Sequence, residues 1–142
     1  MKLLCVDDNS KQRQIIELML AATGIEVDFA ENGQDAVEAY QVNQYDAVLM
    51  DIEMPVKSGL EAAREIRQVE DGFHLGYTPI LFISANGSDQ ESHCEREAGG
   101  DGHLAKPFTA DRLIGALNHV LHRAEGYAVQ NRLYSTPLYA SN

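Results

Sequence analysis

Four short apolar runs each lead into a residue able to do polar chemistry. LLCV at 3–6 precedes Asp7 and Asp8, AVLM at 47–50 precedes Asp51, ILFI at 80–83 precedes Ser84, and HLA at 103–105 precedes Lys106. If these runs are neighbouring strands, three carboxylates share one edge and repel one another unless a cation joins them. Oxygen ligands at close range suit Mg²⁺, which keeps several waters and recruits phosphate oxygens. A carboxylate in such a cluster is also a nucleophile toward phosphorus, giving an aspartyl-phosphate, while a lysine and a hydroxyl stabilise charge on the transferred group. The residue types point to metal-assisted phosphoryl transfer.

Taken singly, each residue has a plainer role. Asp7, Asp8 or Asn9 can cap a helix, Asp51 can open the loop before Met54-Pro55, Ser84 can be an ordinary strand-end hydroxyl, and Lys106 can be solvated surface. A cap needs only one such residue, so the second and third carboxylates call for another explanation, and the conjunction favours the chemical one. The five histidines show no metal-ligand spacing, and His119 and His122 suit the end of a helix. Glu61, Arg64 and Glu65 read as a solvated helix face.

The elements needed to bring these residues together are legible as five βα units. After LLCV, Asn9 with Gln12 forms a capping box for a helix whose Ile15, Leu18, Met19 and Ala22 share a face, and Gly24 ends it. Ile25, Val27 and Phe29 alternate with Glu26 and Asp28 as a strand with one wet face would, and a helix with Ala36, Val37 and Tyr40 follows Asn32-Gly33. Ser58 with Glu61 caps a third helix bearing Leu60, Ala63 and Ile66, and Ser88 with Glu91 caps a fourth. That fourth helix offers only Cys94 and Ala98 as apolar contacts between 88 and 98, as expected of a weakly anchored or partner-covered element. A fifth helix over about 110–123 turns Leu113, Leu117, Val120 and Leu121 inward. Five βα units imply an α/β fold with a five-stranded, doubly wound parallel sheet and helices on both sides. In such a sheet ligands bind beyond the carboxyl ends of the strands, where the polar residues lie.

Composition bounds the rest. The chain has 142 residues, 44% hydrophobic and 23% charged, which suits one compact domain of residues 1–123 with a flexible tail of 124–142. The 22 acidic against 11 basic residues give a net charge of −11, which supplies no basic stripe for nucleic acid. No apolar run approaches the ~20 residues that cross a bilayer, and no signal segment opens the chain. A cytoplasmic location is therefore expected. Cys5 and Cys94 read as reduced thiols.

The pieces VDDN at 6–9, NG at 32–33, LMDIEMP at 49–55, SGLE at 58–61, TPILFISAN at 78–86 and KPF at 106–108 resemble, in order and spacing, the receiver domain of two-component response regulators. The resemblance covers about residues 2–123 and implies a flavodoxin-like (βα)5 fold. It further implies that Asp51 accepts a phosphoryl group from a phosphohistidine on a sensor histidine kinase or phosphotransfer protein. Mg²⁺ would be bound directly by Asp8 and Asp51, mainly through water by Asp7, and by the main-chain carbonyl of Glu53. Lys106 would pair with the phosphoryl group, Ser84 would turn inward to hydrogen-bond it, and Lys106-Pro107 is similar to a bond usually cis in the family. Output would be protein contact through the fourth helix, fifth strand and fifth helix of a monomer or weak dimer, with no enzymatic role beyond self-phosphorylation and dephosphorylation.

Two departures from the family pattern concern three positions. His103 stands where Tyr or Phe commonly serves as a rotating switch, so it either takes over that rotation or lies on the binding face. Glu53 and Asn86 stand at positions that influence phosphoryl lifetime in the family. A start at Met1 favours a stand-alone regulator, although a receiver cut from a hybrid histidine kinase would look the same. A Mg²⁺-dependent aspartyl-phosphate phosphatase of the haloacid-dehalogenase type is the alternative of another class; it needs a DxD nucleophile after the first strand and a cap. The tail carries Tyr127, Leu133, Tyr134, Leu138 and Tyr139, more large apolar groups than a solvating tail needs.

Overall fold

A computed structural model describes residues 1–73, 76–85 and 94–134, with side chains described as far as 124. The strands are β1 (Lys2–Val6), β2 (Glu26–Ala30), β3 (Ala47–Asp51), β4 (Ile80–Ser84) and β5 (Gly102–Ala105), and the helices α1 (Ser10–Leu20), α2 (Gly33–Val42) and α3 (Gly59–Phe73) alternate with them. A helical turn at 94–97 (α4) precedes β5, and α5 (Ala110–Tyr134) follows it. A short 3₁₀ turn, Ala21–Thr23, ends α1, and Gly24 leaves it in the left-handed region at φ 76°. The Ser88–Glu91 capping box and Asn86 lie outside the described residues.

All four strand pairings are parallel and the sheet order is β2-β1-β3-β4-β5. Strand alternation divides the core in two. Leu4, Val6, Val48, Met50, Ile80 and Phe82 pack against Ala36, Val37 and Tyr40 of α2 and Ala62, Ala63 and Ile66 of α3. On the opposite face Leu3, Cys5, Leu49, Leu81, Ile83 and Leu104 pack against Ile16, Leu20, Leu113, Leu117 and Val120 of α1 and α5. Strand order reverses between β1 and β3, so the crevice of this doubly wound sheet opens at their carboxyl ends, beside Asp7 and Asp51.

The predicted starts of α1, α2 and α3 are observed. The Asn9 side chain accepts from the backbone N–H groups of Lys11 and Gln12, Asn32 from that of Asp35, and Ser58 from that of Glu61 at 3.2 Å. The inner face of α1 differs from the expected one. Ile16 and Leu20 are buried, whereas Ile15 is 44% and Leu18 77% exposed. The stripe 15-18-19-22 and the stripe 16-19-20 share Met19 and are both apolar, so periodicity alone does not choose between them; docking on Leu3, Cys5 and α5 does. The last helix also outruns its expected end at 123 and continues to Tyr134. No proline interrupts the chain between Pro107 and Pro137, so nothing in that stretch breaks the backbone hydrogen bonding of the helix.

At the amino ends of the strands a buried polar network ties the layers together. Arg67 of α3 donates to Glu70 Oε1 (2.7 Å), the Thr78 carbonyl (2.8 Å), the Gly99 carbonyl (2.7 Å) and Asp101 Oδ2 (3.0 Å), and its guanidinium lies 4.0 Å from the Tyr77 ring centroid. The other Glu70 oxygen accepts from Tyr40 Oη and from the Thr78 N–H, both at 2.7 Å. Arg67→Ala strips a nearly buried carboxylate and two carbonyls of their donor, and is expected to destabilise the fold by about 3–5 kcal/mol. Denaturant unfolding checks this, and because the network is at the opposite edge from Asp51, Mg²⁺ affinity of the folded variant should stay near wild type.

Candidate functional site: an acidic pocket at the carboxyl edge of the sheet

The predicted carboxylates do converge. One oxygen from each of Asp7, Asp8 and Asp51 lies within 4.8 Å of the others, with Asp7 and Asp51 buried and Asp8 exposed. Asp7 follows β1, where its backbone N–H donates to Ala30 and extends the strand pairing by one residue. Its Oδ1 accepts from the Asn9 N–H at 2.9 Å, while its buried Oδ2 has no hydrogen-bond partner. Asp51 is the last residue of β3 and 4% exposed. Lys106 reaches in from the end of β5 and places Nζ 3.3 Å from Asp51 Oδ1 and 3.5 Å from Asp7 Oδ2.

Backbone contacts set these positions. The Lys106 N–H donates to the Ser84 carbonyl at 2.9 Å, which fixes the exit of β5 against that of β4, and Lys106-Pro107 is cis, as the family resemblance implied. Ser84 closes β4 with 1% exposure. Glu53 sits two residues beyond Asp51 in the exposed loop that leads to α3. Two contributors escaped the sequence reading. Arg13 donates to the Asp7 carbonyl at 2.6 Å and lies 3.6 Å from Glu31, bracing the loop that carries Asp7 and Asp8. Gly59 begins α3 so close to β3 that its N–H donates to the Ile52 carbonyl at 2.9 Å. An arginine one turn into a helix is too common to stand out, and Gly59, although part of the SGLE piece, carried no assigned role at the pocket.

The electrostatics ask for a cation. Burial, and after it the Asp7 charge, pushes the Asp51 carboxyl up to about 6, against the opposing pull of Lys106. One ammonium among three carboxylates leaves the pocket short of positive charge. An all-oxygen donor set, with a buried Asp7 Oδ2 that has Lys106 at 3.5 Å but no hydrogen bond, fits a hard divalent ion such as Mg²⁺. Cys5 lies behind the pocket, and burial followed by Asp7 pushes its thiol up to about 12, so it is a packing residue and not a nucleophile.

A doubly wound parallel sheet with buried acids beside its switch point and a lysine reaching them from β5 defines a class: α/β domains whose polar site lies at the carboxyl ends of the strands. Comparison with known proteins narrows the class. Residues 3–118 match the response regulator receiver domain, and the chain belongs to that family. It is 34% identical over 120 residues to the chemotaxis protein CheY of Halobacterium salinarum, with 84% of this chain and 96% of CheY aligned. It is 32% identical to the cell cycle transcriptional regulator CtrA of Caulobacter vibrioides, covering 90% of this chain but only 53% of CtrA, so it spans about half the length of that relative. Among solved structures, the receiver domain of a Pseudomonas aeruginosa sensor histidine kinase is 35% identical with a TM-score of 0.75, covering 85% of this chain and 97% of that one. That structure has a magnesium ion coordinated in its active-site cleft. The phosphatase alternative gains no support, because the family match and the placement of Asp51 after the third strand both fit a receiver. Among the described residues no helix is long and apolar enough to cross a membrane.

Proposed function

We propose that this receiver domain accepts a phosphoryl group on Asp51 from a phosphohistidine of a sensor histidine kinase or histidine phosphotransfer protein, and that the covalent state controls binding to a protein partner. The observation that carries the reading is the buried Asp7–Asp51 pair bridged by Lys106, with Asp8 at the rim. In the transfer an Asp51 carboxylate oxygen forms the new bond to phosphorus, the phosphorus–nitrogen bond of the phosphohistidine breaks, and the departing imidazole nitrogen takes up a proton. Mg²⁺, held by Asp7, Asp8 and Asp51 with the Glu53 carbonyl, would neutralise charge on the phosphoryl oxygens. Lys106 would supply a positive charge from the other side, and Ser84, at the neighbouring strand end, would donate a hydrogen bond to the same group. The chain acts once per phosphorylation cycle and carries out only its own phosphorylation and dephosphorylation. Downstream contact through the region of α4, β5 and α5 suits a domain working as a monomer or weak dimer in the cytoplasm, without nucleic acid.

Incubation with acetyl phosphate and Mg²⁺, followed by intact-mass measurement, tests the proposal. The expected result is one phosphoryl group per chain, lost when Mg²⁺ is chelated. Lys106→Ala should retain Mg²⁺ binding, because a repelling cation has been removed, yet lose most of the partner-binding response to phosphorylation. A full response in Lys106→Ala would reduce that residue to surface charge.

A further inference from the structure

The turn between β2 and α2, residues 31–33, supplies no ligand to the pocket, yet it touches both loops that carry the acids. The crossover accounts for this, because β2 lies outside β1 in the sheet while α2 packs on β1 and α3, so the turn runs from one loop toward the other. On one side Glu31 Oε1 lies 3.6 Å from Arg13 Nη2, and Arg13 Nη1 donates to the Asp7 carbonyl at 2.6 Å. On the other side Gly33 is buried against Lys57. A Cβ at Gly33 would lie 2.6 Å from the Lys57 carbonyl oxygen and 3.0 Å from Lys57 Cβ, an approach that only glycine permits.

Each contact acts on main chain next to the site. Arg13 holds the peptide that joins Asp7 to Asp8, and the Asp7 side chain turns back to accept from the Asn9 N–H, so the backbone of 7–9 is fixed from two directions. Loop 52–59 is closed at its base by the Gly59 N–H on the Ile52 carbonyl and at its tip by the Lys57 N–H on the Pro55 carbonyl at 2.7 Å. The tip is strained. Val56 sits at its centre with φ 70°, a conformation rare for a β-branched residue, and its exposed side chain packs on nothing that would offset the cost. Such a turn persists only where its surroundings hold it. Here Gly33 seats the Lys57 carbonyl, and Lys57 Nζ pairs with Glu65 of α3.

We propose that the 31–33 turn is a spacer that sets the width of the metal site, with Arg13 and Gly33 as positioning residues for the Asp7–Asp8 loop and for the loop that carries Glu53. The proposal rests on the metal-assisted phosphoacceptor reading above, since the Asp7 and Asp8 carboxylates and the Glu53 carbonyl are the groups it holds apart. Neither residue touches the ion or the phosphoryl group. Both act through backbone that they fix.

Calorimetric titration of the full chain with Mg²⁺ separates position from charge. Arg13→Met keeps the apolar stem and removes donors and charge together. Loss of a cation near three carboxylates would by itself strengthen Mg²⁺ binding, whereas loss of the brace should weaken it about tenfold. Arg13→Lys, which retains a donor and the charge, should recover part of that affinity. Gly33→Ala should also weaken Mg²⁺ binding about tenfold, in contrast to Arg67→Ala, whose effect is on stability alone. Unchanged or tighter binding in Arg13→Met, or affinity within about twofold of wild type in folded Gly33→Ala, overturns the proposal. The Arg13 variants decide the outcome if Gly33→Ala fails to fold. Amide exchange on the metal-free protein reads the same positions without the ion. Arg13→Met should speed exchange of the Asp7 N–H bonded to Ala30, and Gly33→Ala that of the Gly59 N–H bonded to Ile52, each about fivefold or more, while Leu4 and Leu49 amides stay unchanged. Rates within about twofold of wild type at both amides overturn the positioning role. If wild type binds no Mg²⁺, the metal reading fails, whereas the exchange comparison still decides whether the turn positions the two loops.

Discussion

Asp51→Asn is expected to abolish phosphorylation by acetyl phosphate or a phosphorylated kinase, and at the same time to make the metal-free protein more stable at neutral pH. The first effect follows because an amide is neither a comparable nucleophile nor a good Mg²⁺ ligand. The second follows from the cost of keeping the pocket charged. Burial and the Asp7 charge raise the Asp51 carboxyl from 3.8 to about 6 in the folded chain. A group raised on folding contributes stability that is fully present below its unfolded value and is lost as pH rises through its folded value. Metal-free wild type should therefore lose on the order of 2–3 kcal/mol between about pH 4 and pH 6.5 from this group, and Asp51→Asn should lack that component. Mg²⁺ should weaken the dependence in wild type, since the ion competes with the proton, and its apparent affinity should fall below about pH 6. Urea titrations across pH, with and without Mg²⁺, together with intact-mass measurement after acetyl phosphate treatment, check all these outcomes. A mutant that still gains one phosphoryl group in Mg²⁺ would move the acceptor to another residue.

The acids and the lysine were legible because each follows an apolar run, and parallel pairing brings the ends of such runs to one edge. Four strand ends could thus be aligned from the sequence, and Asp7, Asp8, Asp51, Ser84 and Lys106 all lie at that edge. Sequence periodicity failed where two apolar stripes overlap, as in α1, where Ile15 and Leu18 face outward and Ile16 and Leu20 inward. It also failed where polar groups are buried by long-range pairing. Nothing local marks Arg67 as the donor to carbonyls at Thr78 and Gly99, or Glu95 as the partner of His103 across the α4–β5 connection. Such pairs depend on which helix packs over which strand, and helix periodicity carries no record of it. The same holds for Arg13, which acts on the pocket through the Asp7 backbone, with no chemistry of its own.

Gly59→Ala is expected to damage both fold and site, although it adds a single methyl group. A Cβ at Gly59 would lie 2.1 Å from the Asp51 carbonyl oxygen, and 2.9 Å from both the Asp51 carbonyl carbon and Ile52 Cα. All three are backbone atoms, so no side chain can rotate out of the way. Relief requires α3 to withdraw from the end of β3, breaking the Gly59–Ile52 hydrogen bond, or the Asp51 peptide to turn, which displaces its carboxylate from Asp7 and Lys106. Overpacking in cores that can adjust costs about 1–3 kcal/mol, and a backbone collision belongs at or above the top of that range. Gly72 is the internal control: it lies in the same helix, a Cβ there meets nothing within 4 Å, and Gly72→Ala should stabilise by up to about 1 kcal/mol through helix propensity alone. In folded Gly59→Ala, Mg²⁺ affinity and acetyl phosphate labelling should both fall at least about tenfold, because placing a reacting group even ~1 Å off line costs rate steeply. Wild-type unfolding midpoint and labelling rate in Gly59→Ala would show that α3 does not start against Asp51, and would remove the packing contact that aims the acceptor carboxylate into the pocket.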